Sequence, residues 1–426
     1  MSREFDIVVF GATGFVGELT ARYLEQSAPD GTRIALAGRS EAKLSAVRDR
    51  LGERAAQWPL IVADSDKPST LDEMVARTQV VCTTVGPYLR YGEAVVTAAA
   101  SAGTDYVDLT GEVPFVRYSI DKVGETAAAT GARIVHACGF DSVPSDLGAY
   151  RLYRRAQADG AGGLGQTTMI VTSMRGAASG GTIDSVRVIA EQARDSSTRT
   201  VLLNPHALSS GPGELVRADR RSEPSDAALV RASSIDPSLS GTCAPFFMSS
   251  FNTRIVRRSD SLLDYGPDFH YGEVMSVGRL PVVSTIAAGA VAAGLGIGLG
   301  AMSFKPTRTL LDRVLPKPGQ GPDEKARDKG FFAVQTYTTT ESGRRYRSAM
   351  SAKGDPGYKA TAVMLGESAL TLACDRDRLP DRAGVLTPAV AMGDALTDRV
   401  RDNVENKFLI LKICLQCSKC FIFFSL

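Results

Sequence analysis

Three glycines at positions 11, 14 and 17 directly follow a strand pattern, residues 4–10, that ends in the apolar run Ile7–Phe10. A helical pattern begins at the end of this glycine segment. In a strand–loop–helix unit that holds a dinucleotide, the first glycine permits a tight turn and the second lets the backbone approach the pyrophosphate. The third lets helix and strand pack closely, although the spacing here is G-x-x-G-x-x-G rather than G-x-G-x-x-G. The residues expected to contact the nucleotide are Gly11, Thr13, Gly14, Phe15, Val16 and Gly17.

The first 140 residues alternate six short strand patterns, from Ile7–Phe10 to Arg133–Ala137, with helical patterns. This alternation predicts an α/β fold with a Rossmann-type doubly wound parallel sheet over residues 1–148. Residues 149–355 contain longer irregular stretches and strand-like runs, which predict a second, α+β domain that binds substrate. Within this domain, Arg187–Arg199 suggests a helix. Helices within residues 356–402 are expected to pack back on the first domain.

The end of the second predicted strand indicates which nucleotide is bound. An NAD site places an Asp or Glu there to accept hydrogen bonds from the ribose, whereas this chain has Ala37-Gly38-Arg39-Ser40, with Lys43 one turn later. A guanidinium, a hydroxyl and an ammonium suit the 2′-phosphate of NADP(H). The alternative is that Arg39 is a solvated loop residue and Ser40 caps the next helix. Asp64, after the third strand, either contacts the adenine or caps a turn.

Three later strand ends carry polar turns, and the carboxyl ends of parallel strands border the ligand crevice of an open α/β sheet. The first turn contains Gly86, Pro87 and Tyr88, and the second is Asp108–Glu112. The third, His136–Asp146, combines an imidazole, a thiol, carboxylates and hydroxyls, and is expected to contact substrate and supply a proton donor. The alternative is a domain-junction turn in which Ser145 or Asp146 caps a helix. The candidate catalytic residues are Tyr88, His136 and Asp141.

Residues 280–304 form a run of 25 residues without a charge, between Arg279 and Lys305. The length would cross a bilayer, but alanine, glycine, valine and serine predominate, so the insertion energy is modest. A buried helix, a helix lying on a membrane as a peripheral contact, and an apolar surface for a lipid-like substrate all remain open.

Composition narrows the function class. A formal net charge of +2 argues against a nucleic-acid partner. Only three histidines are present, so no metal site is predicted. The N-terminal residues have no basic and apolar leader pattern, which favours a cytoplasmic protein, associated with the inner face of the membrane if the apolar run meets lipid.

Several of these motifs together resemble the saccharopine dehydrogenase-like oxidoreductases, with the greatest similarity to the mycobacterial trans-acting enoyl reductases. The resemblance extends from about residue 3 to about residue 400. The segments that carry it are Gly11–Gly17, Ala37–Ser40, Thr83–Tyr88, Tyr106–Glu112, Cys138–Asp146, Phe251–Ser259, Pro318–Pro322, Gly357–Ala362 and Gly384–Pro388.

The resemblance implies that NADPH delivers a hydride to the β-carbon of an α,β-unsaturated acyl thioester and that a proton reaches the α-carbon. The acyl group would be carried by an acyl carrier domain of a polyketide synthase, which the enzyme serves in trans during synthesis of phthiocerol dimycocerosate and phenolic glycolipid envelope lipids. No catalytic acid transfers residue by residue from the family. Two alternatives stay open: a saccharopine-type amino-acid dehydrogenase, and a non-catalytic, nucleotide-binding, lipid-associated protein.

The last 24 residues, 403–426, differ from the rest of the chain. They contain no Ala, Gly, Pro or Arg, yet hold three of the seven cysteines, at positions 414, 417 and 420. The resemblance fades where this composition changes. We therefore expect this tail to lie outside the fold, with the alternative that its cysteines form part of a metal cluster.

Overall fold

Seven parallel strands, numbered with the helices in chain order, form the first sheet of the computed structural model. The structure describes residues 3–176, 180–193, 195–213, 223–303, 307, 321–402 and 409–410. The strands of the first sheet are β1 (Phe5–Phe10), β2 (Ile34–Gly38), β3 (Leu60–Val62), β4 (Thr78–Thr83), β5 (Asp105–Val107), β6 (Arg133–Val135) and β13 (Gly384–Leu386). Their order is β13-β6-β5-β4-β1-β2-β3, so the order reverses beside β1 as in a doubly wound sheet.

Helices cover both faces of this sheet. They are α1 (Phe15–Ser27), α2 (Glu41–Arg48), α3 (Pro68–Ala76), α4 (Tyr88–Ala102), α5 (Val113–Thr130), α13 (Lys359–Cys374) and α14 (Pro388–Asp402). Along β1, Ile7 and Val9 join one buried cluster while Val8 and Phe10 join the other. A strand buried on both faces requires a nearly continuous apolar run, which is why the sequence pattern located β1.

The second sheet is mixed and also has seven strands. They are β7 (Leu164–Arg175), β8 (Val230–Arg231), β9 (Thr242–Pro245), β10 (His270–Ser276), β11 (Phe331–Thr340), β12 (Arg345–Lys353) and β14 (Leu409–Ile410). Their order is β14-β12-β11-β7-β10-β9-β8, with β7 and β10 parallel. Alternate residues of β12 are buried, as expected where one face of a sheet packs on helices. The predicted combination of a Rossmann-type sheet with a second α+β domain is confirmed.

The remaining helices connect or cover the two sheets. They are α6 (Val143–Ala158), α7 (Gly180–Gln192), α8 (Ser196–Leu203), α9 (Ala232–Ile235), α10 (Ser249–Leu263), α11 (Pro281–Ser303) and α12 (Glu324–Asp328). The sequence pattern indicated one helix over 187–199, but the structure has two, α7 and α8. Asp195 separates them because its carboxylate accepts a hydrogen bond from the Thr198 amide at 2.9 Å and so caps α8.

The junction of the two sheets is polar and buried. Asp146, in the first turn of α6, accepts hydrogen bonds from the Ser259 hydroxyl of α10 and, at 2.8 Å, from the Ala389 amide of α14. Asp146 therefore caps α14 rather than its own helix. Burial raises the pKa of Asp146 to about 6. These hydrogen bonds join α6, α10 and α14, which are far apart in the sequence.

The structure also bears on two other segments discussed from the sequence, the apolar run 280–304 and the C-terminal tail. Within the apolar run 280–304, residues Pro281–Ser303 form α11, but only 11% of the residues from Pro281 to Gly298 are buried, so the alternative of a buried helix is wrong for this part of the run. Within the tail, Leu409 and Ile410 pair with β12 at the edge of the second sheet. Residues 403–408 and 411–426, including all three tail cysteines, lie outside the described residues.

Candidate active site

The glycine loop between β1 and α1 has no room for side chains. Gly11 has a φ of +88°, and a Cβ atom there would lie 2.8 Å from Val85 Cγ2. At Gly17 a Cβ atom would lie 2.1 Å from the Gly11 carbonyl oxygen. Gly14 begins α1 without a side-chain cap, so the first amides of the helix remain available to a phosphate. The loop therefore fits a dinucleotide, as its sequence predicted.

The other predicted loop contacts surround this helix start. Thr13 and Gly14 are exposed, while Phe15 and Val16 are half-buried. The Phe15 ring packs edge-on against Tyr358, with 4.9 Å between the centroids, and the Arg327 guanidinium carbon lies 5.1 Å from its centre. Residues from the second half of the chain thus border the nucleotide loop. Residues 318–320 of the Pro318–Pro322 motif lie outside the described residues.

The residues predicted to select NADP(H) stand at the end of β2. Arg39 and Lys43 are exposed, and neither side chain makes a hydrogen bond or ion pair with another described residue. Ser40 accepts from the Lys43 amide at 3.4 Å and caps α2. Two unpaired cations beside the glycine loop fit a 2′-phosphate. Asp64 is half-buried and accepts from the Asp66 amide at 3.2 Å, so its carboxylate stabilises a turn.

The loop after β4 contains a cis Gly86–Pro87 peptide bond and leads into α4. Its conformation is held by Glu112, from the loop after β5. The Glu112 carboxylate accepts hydrogen bonds from the amides of Tyr88 at 3.0 Å and Leu89 at 2.8 Å, and caps α4 in this way. It also accepts from the Ser185 hydroxyl of α7 at 2.6 Å. Burial raises the pKa of Glu112, although these donors oppose the shift.

Tyr88 lies in the interior, with its side chain directed away from solvent. Its hydroxyl donates to the Thr83 carbonyl at 3.2 Å and accepts from the Leu109 amide at 3.1 Å. Burial is the main reason that the pKa of the Tyr88 phenol is raised well above its ordinary value. The phenol therefore joins two crevice loops, which suits a positioning residue better than a group that contacts substrate.

His136 is 1% exposed and is held by Asp108. Its Nδ1 atom lies 2.8 Å from Asp108 Oδ2, and its ring lies between Phe115 and Tyr106, at centroid distances of 5.1 and 5.7 Å. Asp108 accepts from three further donors: the Tyr106 hydroxyl and the amides of Thr110 and Ala137, each at 3.0 Å. His136 Nε2 is buried without a partner among the described residues. Enclosure by aromatic rings separates His136 from a substrate in the crevice.

Asp141 is the candidate that remains partly accessible. The turn before it is tightly constrained: the Phe140 amide donates to the Thr361 hydroxyl at 3.0 Å, and a Cβ atom on Gly139 would lie 2.6 Å from Leu109 Cδ2. Burial raises the pKa of Asp141 to about 7, and the Asp108 charge adds to this shift. A carboxyl group that is protonated near neutral pH can donate a proton to a bound ligand.

Asp141 directly follows Phe140, which belongs to a buried apolar cluster. The rings of Phe140 and Phe332 lie 4.8 Å apart, and Leu109 and Met248 pack against the buried clusters nearby. Phe332, Thr361 and Ser185 were not among the predicted site residues, because each comes from a distant segment. Thr361 lies within the motif 357–362, which was the available signal. Cys138 is buried, and burial raises its thiol pKa well above the usual value, so it is a core residue.

Comparisons with known proteins place this site in a family. The model of the saccharopine dehydrogenase NADP binding domain matches residues 7–135. A Mycobacterium tuberculosis protein named "Putative trans-acting enoyl reductase" is 53% identical over 410 residues, covering 93% of this chain and 96% of its own. The trans-acting enoyl reductase of Mycobacterium ulcerans is 48% identical over 411 residues, with the same shares of both chains.

The fold is similar to a solved structure. Apo saccharopine dehydrogenase (L-Glu forming) from Saccharomyces cerevisiae superposes with a TM-score of 0.51 at 15% identity, covering 96% of this chain and 99% of that one. This likeness supports the arrangement of the two sheets and says nothing of substrate. By sequence, the chain belongs to the saccharopine dehydrogenase-like oxidoreductases and, within them, to the family of the mycobacterial trans-acting enoyl reductases.

Proposed function

We propose that this protein is an NADPH-dependent enoyl reductase that acts in trans on an α,β-unsaturated acyl thioester. The observation that carries the proposal is the placement of Asp141, a half-buried residue in the loop after β6 that follows Phe140 in the chain, at the same sheet edge as the nucleotide loop. The similarity to relatives named trans-acting enoyl reductases supports the same reaction class.

NADPH, when bound, supplies the hydride that adds to the β-carbon of the acyl group. The protein must hold NADPH and the acyl group in the orientation that allows hydride transfer, and it must supply the proton for the α-carbon. We assign the proton donor to Asp141 Oδ, because its pKa of about 7 leaves it largely protonated below neutral pH. Tyr88 and His136 are assigned positioning roles, since both side chains are buried and bond protein groups through the Tyr88 hydroxyl and His136 Nδ1.

The saccharopine-type alternative, an amino-acid dehydrogenase, needs cations that are free to bind substrate carboxylates. The buried arginines of α10 do not provide them. Arg254 pairs with Asp226 at 2.8 Å, and Arg257 lies 3.3 Å from Glu223 and donates to the Tyr271 carbonyl at 2.8 Å. Arg258 donates to two backbone carbonyls. Because protein oxygens already engage these guanidinium groups, an apolar acyl substrate suits the crevice better.

The proposed partner is an acyl carrier domain of a polyketide synthase, and the proposed location is the cytoplasm. The relatives' name, trans-acting, supports a separately encoded synthase. The resemblance noted from the sequence further suggests envelope lipids of the phthiocerol dimycocerosate and phenolic glycolipid type as the final products.

The test follows the loss of reduced-nicotinamide absorbance after mixing the protein with NADPH and a crotonyl group on an acyl carrier domain. We expect oxidation of NADPH and formation of the saturated butyryl thioester, detected by mass spectrometry. A saturated butyryl carrier is the matched control and should give no oxidation. No turnover with enoyl groups of short and long chain, in a protein that still binds NADPH, would refute the proposal.

A further inference from the structure

Helix α11 exposes aliphatic side chains that no other part of the described chain covers. Leu280, just before the helix, and Val282, Val283, Ile286 and Ile297 within it are between 59% and 73% exposed. Among the residues of this helix whose burial the structure describes, only Ser284 and Ala288 are buried, and the Ser284 hydroxyl accepts from the Thr242 amide of β9 at 2.9 Å. One side of α11 therefore docks on the protein while the other faces outward.

The exposed side chains form a continuous stripe. Val282, Ile286, Ala290, Ala293 and Ile297 are all exposed and follow one another at intervals of four, four, three and four residues. Residues at this spacing lie on one face of a helix. With 23 residues, the helix is about 35 Å long, so the stripe is long enough for an extended surface contact.

Composition and length would allow α11 to cross a bilayer, but the sheet topology excludes this. Strand β10 precedes the helix and β11 follows it, and both pair with β7 in the second sheet. A crossing by α11 would therefore require residues 304–330 to cross back to reach β11, and the eleven charged residues in that segment make a second crossing too costly. The helix can only lie along a surface.

Basic residues at both ends of the stripe favour one kind of partner. The exposed Arg279 precedes the helix, and by sequence residues 304–320 contain four basic residues and a single acidic one. Basic residues flanking an uncharged aliphatic stripe suit an anionic lipid surface. Protein interfaces instead concentrate Tyr, Trp, Met and Arg at their centres, and the stripe of α11 has none of these.

We propose that α11 is a docking surface for anionic phospholipid membranes, in which its outward stripe enters the lipid while the enzyme body stays in water. The surface also adjoins the crevice, because α11 packs against α7, and α7 donates the Ser185 hydrogen bond to Glu112. A lipid-like acyl chain at the membrane would therefore lie close to the loops that border the site. The docking itself does not depend on the proposed reductase activity.

The test is flotation of the full chain with vesicles of phosphatidylglycerol and phosphatidylcholine, compared with phosphatidylcholine alone. We expect flotation with the anionic vesicles that weakens as salt is raised. Ile286→Glu/Ile297→Glu should reduce the partition coefficient at least tenfold, because charged side chains insert poorly. Leu203→Glu is the matched control, since Leu203 is 75% exposed against 73% for Ile297 but lies on α8. It should leave flotation unchanged.

The variants replace exposed residues, so unchanged thermal unfolding and NADPH binding will show that they fold. Failure of the unaltered protein to float, or equal flotation of the α11 variant, would overturn the proposal. A dimer in solution that Ile286→Glu/Ile297→Glu dissociates, without vesicle binding, would instead identify α11 as a contact between copies and would also overturn it.

Discussion

A crevice lies at the carboxyl edge of the first sheet, and its two ends differ in the burial of their charged side chains. The charged groups are exposed at one end and buried at the other. Beside β1 and β2, Arg39 and Lys43 are exposed, and neither is bonded to another described residue. Beside β5 and β6, Asp108 and Glu112 are buried, and each accepts several hydrogen bonds from the protein. Charges left open to water can exchange water for a ligand, whereas buried charges must be paired and therefore hold structure. Of the acidic residues at the second end, Asp141 is the one that is half-buried rather than buried.

We expect the largest effect from a substitution at the end of the crevice where the carboxylates are buried. Asp108→Ala removes the acceptor for four donors and should lower the free energy of unfolding by about 4 kcal/mol, because the donors are left unsatisfied. Urea unfolding measures this loss. Asp30→Ala removes a fully exposed carboxylate paired with Arg54 and should leave the urea midpoint nearly unchanged, because solvent screens an exposed ion pair. Similar losses for both variants would show that the buried network does not hold the crevice.

At the open end, Gly17→Ala should weaken NADPH binding about 100-fold, which corresponds to about 2.7 kcal/mol. The added methyl group would lie 2.1 Å from the Gly11 carbonyl oxygen, so the loop must open. Fluorescence titration of NADPH gives the dissociation constant. Gly124→Ala in α5 is the control, because its methyl group would meet nothing closer than 3.9 Å. Unchanged affinity in Gly17→Ala would contradict the assignment of the loop.

Asp141→Asn tests the residue that differs from its buried neighbours. We expect kcat to fall about 100-fold with little change in NADPH affinity, as for the loss of a general acid. Since the pKa of Asp141 is about 7 and the protonated form donates, kcat of the unaltered enzyme should decline as pH rises above about 7. Asp141→Asn should lose this decline. A variant with the original pH profile would require another proton donor.

Arg39→Ala should have the smallest effect of the four. We expect about tenfold weaker binding of NADPH and unchanged binding of NADH, because only the 2′-phosphate contacts the guanidinium. Competition titrations with both nucleotides measure the ratio. Arg22→Ala, which removes a partly exposed cation from the α1 surface, is the control. If the ratio of NADPH to NADH affinity stays the same in Arg39→Ala, the cofactor preference has another source.

Local sequence was sufficient where the physical requirement is local. A tight turn with a positive φ at Gly11 and a close approach at Gly17 demand glycine, so the position and conformation of this loop could be predicted from the sequence. Strands buried on both faces demand apolar runs, so the first sheet was found as well. The helix break at Asp195 was missed because a cap in the middle of a helical pattern is a weak signal.

The sequence by itself determined the fold class and the family and predicted a nucleotide loop, since these depend on backbone geometry and on residues close together in the chain. Only the tertiary structure decided which candidate acid is accessible. Tyr88, His136 and Asp141 look equally suitable in sequence, but burial depends on Phe115, Thr361 and other residues that arrive from distant segments. The same is true of α11: its composition allowed burial or membrane contact, and its packing against β9 left the apolar stripe facing outward.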